Sequence, residues 1–304
     1  MEKRRKVKSR ADGLPIDVVE VLPDGPVKGI VQIVHGMAEH KERYLHFMNF
    51  LADNGYACIA HDHRGHGKSV RDPNNLGYFY DESGDAIVED VFDVSKDLRI
   101  RYPHVPVFLF GHSMGSLVVR KFAKKYDDQI DGLIICGAVY ENPAAKTGLK
   151  LIRRLSKLKG GKAHSDIVTN LVDGSFDSDI PGDLKNRWLS VNQENVKTFN
   201  NDEKCGFPFT LNGYQNLLLL VMDVYDDEGW KMKNPDLPVL FIAGKEDPVI
   251  GSPEEFERTV RKFRKHGYHN VKSKLYSEMR HEILNEVNRK EVYDDILEFI
   301  KENS

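Results

Sequence analysis

Cysteine is scarce in this sequence. The three present, Cys58, Cys136 and Cys205, lie far apart, and no C-x-x-C pair occurs. That excludes a disulfide-stapled fold and offers neither a zinc site nor a redox pair; a sparse, odd count fits a reducing compartment. No run of about eighteen apolar residues occurs, so no membrane-spanning helix is expected. The basic start, MEKRRKVKSR, lacks the apolar stretch of a secretory signal and reads as a solvated end leading into the first strand. A soluble, cytoplasmic protein is the expectation. An excess of one charge is lacking too: 44 Lys and Arg against 47 Asp and Glu leave −3, which gives no global reason to expect nucleic acid as a partner. What remains is 304 residues, 40% hydrophobic and 30% charged. That is an ordinary globular balance, and enough chain for one large α/β domain with an insertion or for two small domains.

The informative stretch is VFLFGHSMGSL at 107–117. Apolar residues run into Gly111-His112-Ser113-Met114-Gly115, and a helical pattern follows with Leu117, Val118, Phe122 and Ala123 on one face. Strand, sharp turn and helix with serine at the apex form a nucleophile elbow. The turn needs both glycines, because a side chain at either would meet neighbouring backbone. It lifts the Ser113 hydroxyl clear of the sheet and aims the free N–H groups of the next helix at it.

Around this elbow, strands and helices alternate. Strands are expected at 16–22, 29–34, 56–60, 130–139, 239–243 and 271–276, and helices at 44–52, 85–102, after Ser252, and at 292–300. The spacing predicts a mostly parallel sheet covered on both faces, with the first strand antiparallel at one edge. Asp85 is the expected cap of the 85–102 helix. The alternation breaks at about 141 and resumes at about 236. The chain is therefore divided into a core of 1–140 and 236–304 and an insertion of 141–235, with helices at 144–158 and 211–225. The loop HDHRGHGKS at 61–69 contains G-K-S but has Asp62 where a phosphate loop needs glycine. His61, Asp62, His63 and His66 show no metal-ligand spacing, and a hydrogen-bonded structural loop is expected there, with no metal.

A serine hydroxyl needs a base within hydrogen-bond reach, and that base needs an orienting carboxylate. On this type of fold the chain order is serine, acid, histidine. Ser113, Asp247 in G-x-x-D-P-V and His281 supply that order, each at the carboxyl end of a strand. Glu246 is the rival acid; Asp247 is preferred because a turn aspartate reaches back over the strand end. The oxyanion donors are expected to be the backbone N–H groups of Met37 and Met114. Tyr214, Leu217 and Leu218 are candidates to line a substrate pocket. No metal or organic cofactor is required.

HGMAEH at 35–40 with Arg43-Tyr44, DHRGHGKS at 62–69, GHSMG at 111–115 and HEILNE at 281–286 resemble the monoacylglycerol lipase and lysophospholipase group of α/β-hydrolases. Asn201-Asp202 with Cys205-Gly206-Phe207 is similar to that group as well. The resemblance implies an α/β-hydrolase fold, a Ser113–His281–Asp247 triad, an oxyanion hole at Met37 and Met114, and a helical lid formed by the insertion. It implies hydrolysis of monoacylglycerol, lysophospholipid or similar carboxylic esters through an acyl-enzyme, with a peptidase or thioesterase as the alternative. A non-catalytic binding protein is disfavoured, since no triad member is missing. In the lid, Leu149, Ile152, Leu155 and Leu158 share a helix face beside Lys150, Arg153, Arg154 and Lys157. The leucines are expected to pack over the site while the lysines meet water; peripheral docking on an anionic lipid surface is the alternative.

Overall fold

The computed structural model describes residues 1–173 and 176–304. In chain order the elements are β1 (Glu2–Lys8), β2 (Pro15–Val21), β3 (Gly29–Val34), α1 (Leu45–Asp53), β4 (Tyr56–His61), α2 (Ala86–Arg101), β5 (Val107–His112), α3 (Met114–Tyr126) and β6 (Gly132–Cys136). Then follow α4 (Ala145–Lys159), α5 (Asp166–Asp173), α6 (Gln193–Asn201), α7 (Leu211–Tyr225), β7 (Val239–Gly244), α8 (Pro253–Lys265), β8 (Val271–Tyr276) and α9 (Arg289–Glu302). Among the described residues the strands form one eight-stranded sheet in the order β1-β2-β4-β3-β5-β6-β7-β8. Every pair from β4 to β8 is parallel.

The central strands are buried at every position, which is why they read as unbroken apolar runs rather than alternating ones. One face packs Ile87, Val91, Leu117, Phe122, Phe256 and Val260 from α2, α3 and α8. The other packs Phe47, Leu51, Val292, Ile296 and Ile300 from α1 and α9. Each such side chain contributes roughly 1.5–3 kcal/mol on full burial.

Several expectations are corrected. The basic N-terminus is not a loose end: it forms β1, antiparallel to β2 over its full length, so β2 has a further strand outside it. Its two arginines are paired, Arg5 with Glu20 and Asp97 and Arg4 with Glu42. Asp85 does not cap α2 with its side chain. Asp81 takes the Asp85 and Ala86 amides at 3.1 and 3.2 Å, while Asp85 pairs with Lys121 and Lys125. The strand expected at 130–139 is shorter: a 3-10 turn at Asp127–Gln129 precedes it, and Gly137 ends it at φ +57°. Between β6 and β7 the chain runs through α4 to α7; α4 packs on α7, and α7 packs on α3. On α4, Leu149 and Ile152 are buried, Leu155 is half-buried, and Leu158 is exposed.

In the loop after β4, His63 and His66 are buried and tied to backbone, while both ring nitrogens of His61, at the end of β4, are buried without a hydrogen-bond partner among the described residues. The His63 amide donates to His35 Nε2 at 2.9 Å, and Asp62 takes the Lys41 amide at 3.0 Å and the Lys68 amide at 2.8 Å. Burial pushes His61 down to about 3 and His66 down to about 4. Unfolded, both would take up a proton near pH 6.5. Lowered folded values mean that their contribution to stability is complete above about pH 6.5 and is lost as pH falls, through about 4 for His66 and about 3 for His61. Melting curves across that window are expected to show Tm falling with pH; a flat Tm would contradict the burial of neutral imidazoles.

Candidate active site

Ser113 sits between β5 and α3 with φ 55° and ψ −120°, a backbone region that non-glycine residues avoid. Its amide donates to Cys136 O at 3.0 Å, which ties the turn to the neighbouring strand. The flanking glycines are sterically required. A Cβ on Gly111 would lie 2.4 Å from Gly115 O, and one on Gly115 would lie 2.1 Å from Val34 O. The helix start is thereby pressed against the end of β3 and the loop that follows it.

Asp247 follows β7 and His281 follows β8, two strands that pair side by side. The Asp247 carboxylate is divided: Oδ1 accepts the Val249 amide at 2.8 Å, and Oδ2 meets His281 Nδ1 at 2.8 Å. Both side chains are almost fully buried, at 0% and 2% exposure. His281 Nε2 is buried and has no hydrogen-bond partner among the described residues. It therefore makes no hydrogen bond to Ser113 Oγ here, although both residues line one cavity. Such contacts are commonly loose until substrate binds.

That cavity has a volume of about 580 Å3. Ser113, Met114, Met37 and His281 lie on its wall, as do Leu217 and Leu218. Tyr214 does not. It shares a face of α7 with the two leucines, but its hydroxyl donates to Thr169 Oγ1 at 3.2 Å. Its ring therefore stands behind the wall that Val168 and Thr169 of α5 form.

A family model described as serine aminopeptidase, S33 (Hydrolase_4) matches residues 25–288. The chain belongs to the Hydrolase_4 family. It is similar to the monoglyceride lipase of Mus musculus, 26% identical over 279 residues that cover 88% of this chain and 83% of that one. It is equally similar to the monoacylglycerol lipase of Mycolicibacterium smegmatis, 26% identical over 282 residues, 91% of this chain and 90% of the other. A highly thermostable carboxyl esterase from Bacillus coagulans, solved in complex with glycerol, superposes with a TM-score of 0.92 at 29% identity. That match covers 99% of this chain and 98% of the esterase. The sheet order and elbow are accordingly those of an α/β-hydrolase, and the Hydrolase_4 chain is a serine hydrolase.

Behind the elbow of this Hydrolase_4 chain lies a buried charge network that the motifs contained but sequence reasoning did not use. Glu39 Oε1 accepts the Gly36 amide at 2.6 Å and the Tyr44 hydroxyl at 2.8 Å. Arg43 bridges Glu39, at 2.7 Å, to Glu282 beside the histidine, also at 2.7 Å. Burial opposes the Glu39 charge, but His112 and Arg43 hold its carboxyl well below the usual range. Burial likewise opposes charge on His112, and Glu39 raises it nonetheless. Removing Arg43 leaves two buried carboxylates without their cation. Arg43→Ala is expected to lower stability by about 3–5 kcal/mol in denaturant titration; a change below about 1 kcal/mol would contradict the network. The signal available in sequence was the four-residue spacing of Glu39 and Arg43, with Tyr44 next to Arg43.

The described residues offer one group with metal-ligand chemistry, His40, Asp202 and Cys205, whose ligand atoms lie within 4.8 Å of one another. Both His40 nitrogens are already engaged, with Glu42 and Asp202 at 2.8 Å each. Through these bonds His40 ties the loop after β3 to the segment between β6 and β7.

Proposed function

We propose that the chain is a serine ester hydrolase acting on monoacylglycerol-like or lysophospholipid-like esters, with Ser113, His281 and Asp247 as its triad. The observation that carries this reading is the His281 imidazole. Its Nδ1 is bonded to Asp247, and its Nε2 is buried and unpartnered at the cavity that Ser113 lines. Ser113 Oγ attacks the ester carbonyl as its proton passes to Nε2. The Met37 and Met114 amides hold the oxyanion; the Gly36 and Ala38 amides are already engaged, with Glu39 and His66. The imidazolium protonates the leaving alcohol, and water then releases the acid from the acyl-enzyme by the same route. The segment 141–235 serves as the lid, with Ile152, Leu217, Leu218 and Val221 against the acyl chain.

Ester is favoured over aminopeptide by the carboxylates on the wall. An aminopeptidase needs one to hold the substrate ammonium. Glu39 and Glu282 are committed to Arg43, and Asp166 is exposed. A lipid source is favoured by the mouth. Leu151 and Leu171 line the cavity yet are 37% and 64% exposed, with Leu158 and Ile167 exposed nearby and Lys150, Arg153, Arg154 and Lys157 beside them. No described helix is long and apolar enough to cross a membrane. A panel of monoacylglycerol, lysophospholipid, short nitrophenyl ester and aminoacyl amide tests the reading. Ester turnover well above amide turnover is expected; the reverse overturns it.

A further inference from the structure

Beyond Asp247, the environment of His281 includes a residue that no motif marks. The Trp188 indole lies 5.0 Å from the imidazole, centroid to centroid, at 41°. Trp188 comes from the insertion, in a 3-10 turn at Arg187–Leu189, and lines the cavity. It is held against the histidine by its neighbours. The two residues flanking Trp188 are bonded to the two residues flanking His281: Arg280 Nη1 donates to Arg187 O at 2.9 Å, and the Glu282 amide donates to Leu189 O at 2.7 Å.

The rest of this strap is equally fixed. Asp177 accepts the Asn186 amide at 2.7 Å and the Trp188 amide at 2.9 Å. Glu286 is fully buried and gathers the Ser190 hydroxyl at 2.8 Å, the Val191 amide at 3.0 Å and the Arg280 amide at 3.0 Å. Phe176 backs the indole at 4.9 Å. The part of the insertion that carries Trp188 is thus laced to the histidine loop.

We propose that Trp188 is a positioning residue for His281. It keeps the imidazole turned between Asp247 and Ser113, and its ring face stabilises the imidazolium that forms when Ser113 gives up its proton. This inference rests on the triad reading above. An indole within about 6 Å of a cation attracts it through the ring quadrupole, more strongly where water is excluded. Leucine stays apolar but is smaller and loses that face; phenylalanine keeps a weaker one.

The test compares Trp188→Leu and Trp188→Phe on a nitrophenyl ester across pH. Trp188→Leu is expected to lower kcat by about 3–30-fold, the range that an indole–cation contact supplies. KM should change little, and the acid limb of kcat/KM should move to lower pH. Trp188→Phe is expected to recover most of both. A spectroscopic arm uses Trp230→Phe, which leaves Trp188 as the sole tryptophan. Indole emission should then be quenched as pH falls through that same limb, and His281→Gln should abolish the transition. Wild-type kcat and limb in Trp188→Leu, or emission that does not follow the limb, would overturn the proposal. Fluorophosphonate labelling of Ser113 in the unmutated protein separates the two failures, since an unlabelled serine sinks the triad itself.

Discussion

Replacing Ser113 with alanine is expected to lower ester turnover by at least about 10⁴-fold while the protein melts as before. Removing the nucleophile of such a unit typically costs about as much as removing the whole unit, with residual rate from binding and the oxyanion donors. The structure explains why the loss should not be a folding defect. The bond that anchors the turn is made by the Ser113 amide to Cys136 O, and alanine retains that amide. The strained φ of 55° is imposed by the packing of Gly111 and Gly115, which the substitution leaves untouched. Retained turnover in a correctly folded Ser113→Ala variant would move the chemistry to another group.

The second large effect is expected for Asp247→Asn, a loss in kcat of about 10⁴-fold with little change in KM. The two carboxylate oxygens have different partners. The Val249 amide needs an acceptor and will keep the amide oxygen of asparagine. The NH2 group then faces His281 Nδ1, 2.8 Å away in the native protein. A donor there makes Nδ1 the acceptor and puts the ring proton on Nε2, the atom that the proposed triad needs to receive the proton of Ser113. Geometry survives and the tautomer is wrong. A fall of only a few-fold would show that Asp247 neither orients the imidazole nor stabilises its charge.

What was legible in the sequence was local or periodic. Unbroken apolar runs mark strands covered on both faces, and Gly111 and Gly115 mark the elbow because no other residue fits their contacts. β1 was hidden because its residues are nearly all basic. Their stabilisation comes from Glu20, Glu42 and Asp97, which are distant in sequence. Asp85 was a plausible cap by position, but Lys121 and Lys125, about two and three turns along α3, draw it away. Tyr214 followed the same helical period as Leu217 and Leu218, yet the reach of its ring, not its face, decides that it stands behind the cavity wall. Trp188 stands in a short turn with no periodicity of its own; its placement depends on Asp177, Arg280 and Glu286, which no spacing rule connects.

The most direct measurement is covalent. The protein is treated with a fluorophosphonate, its intact mass is recorded, and the adduct is mapped to a peptide. One adduct per chain, on Ser113, formed by the native protein and lost in His281→Ala, is the expected result if the serine, the imidazole and Asp247 work at one rim of the sheet. An adduct on a different serine, or labelling of Ser113 that proceeds undiminished without His281, would contradict it.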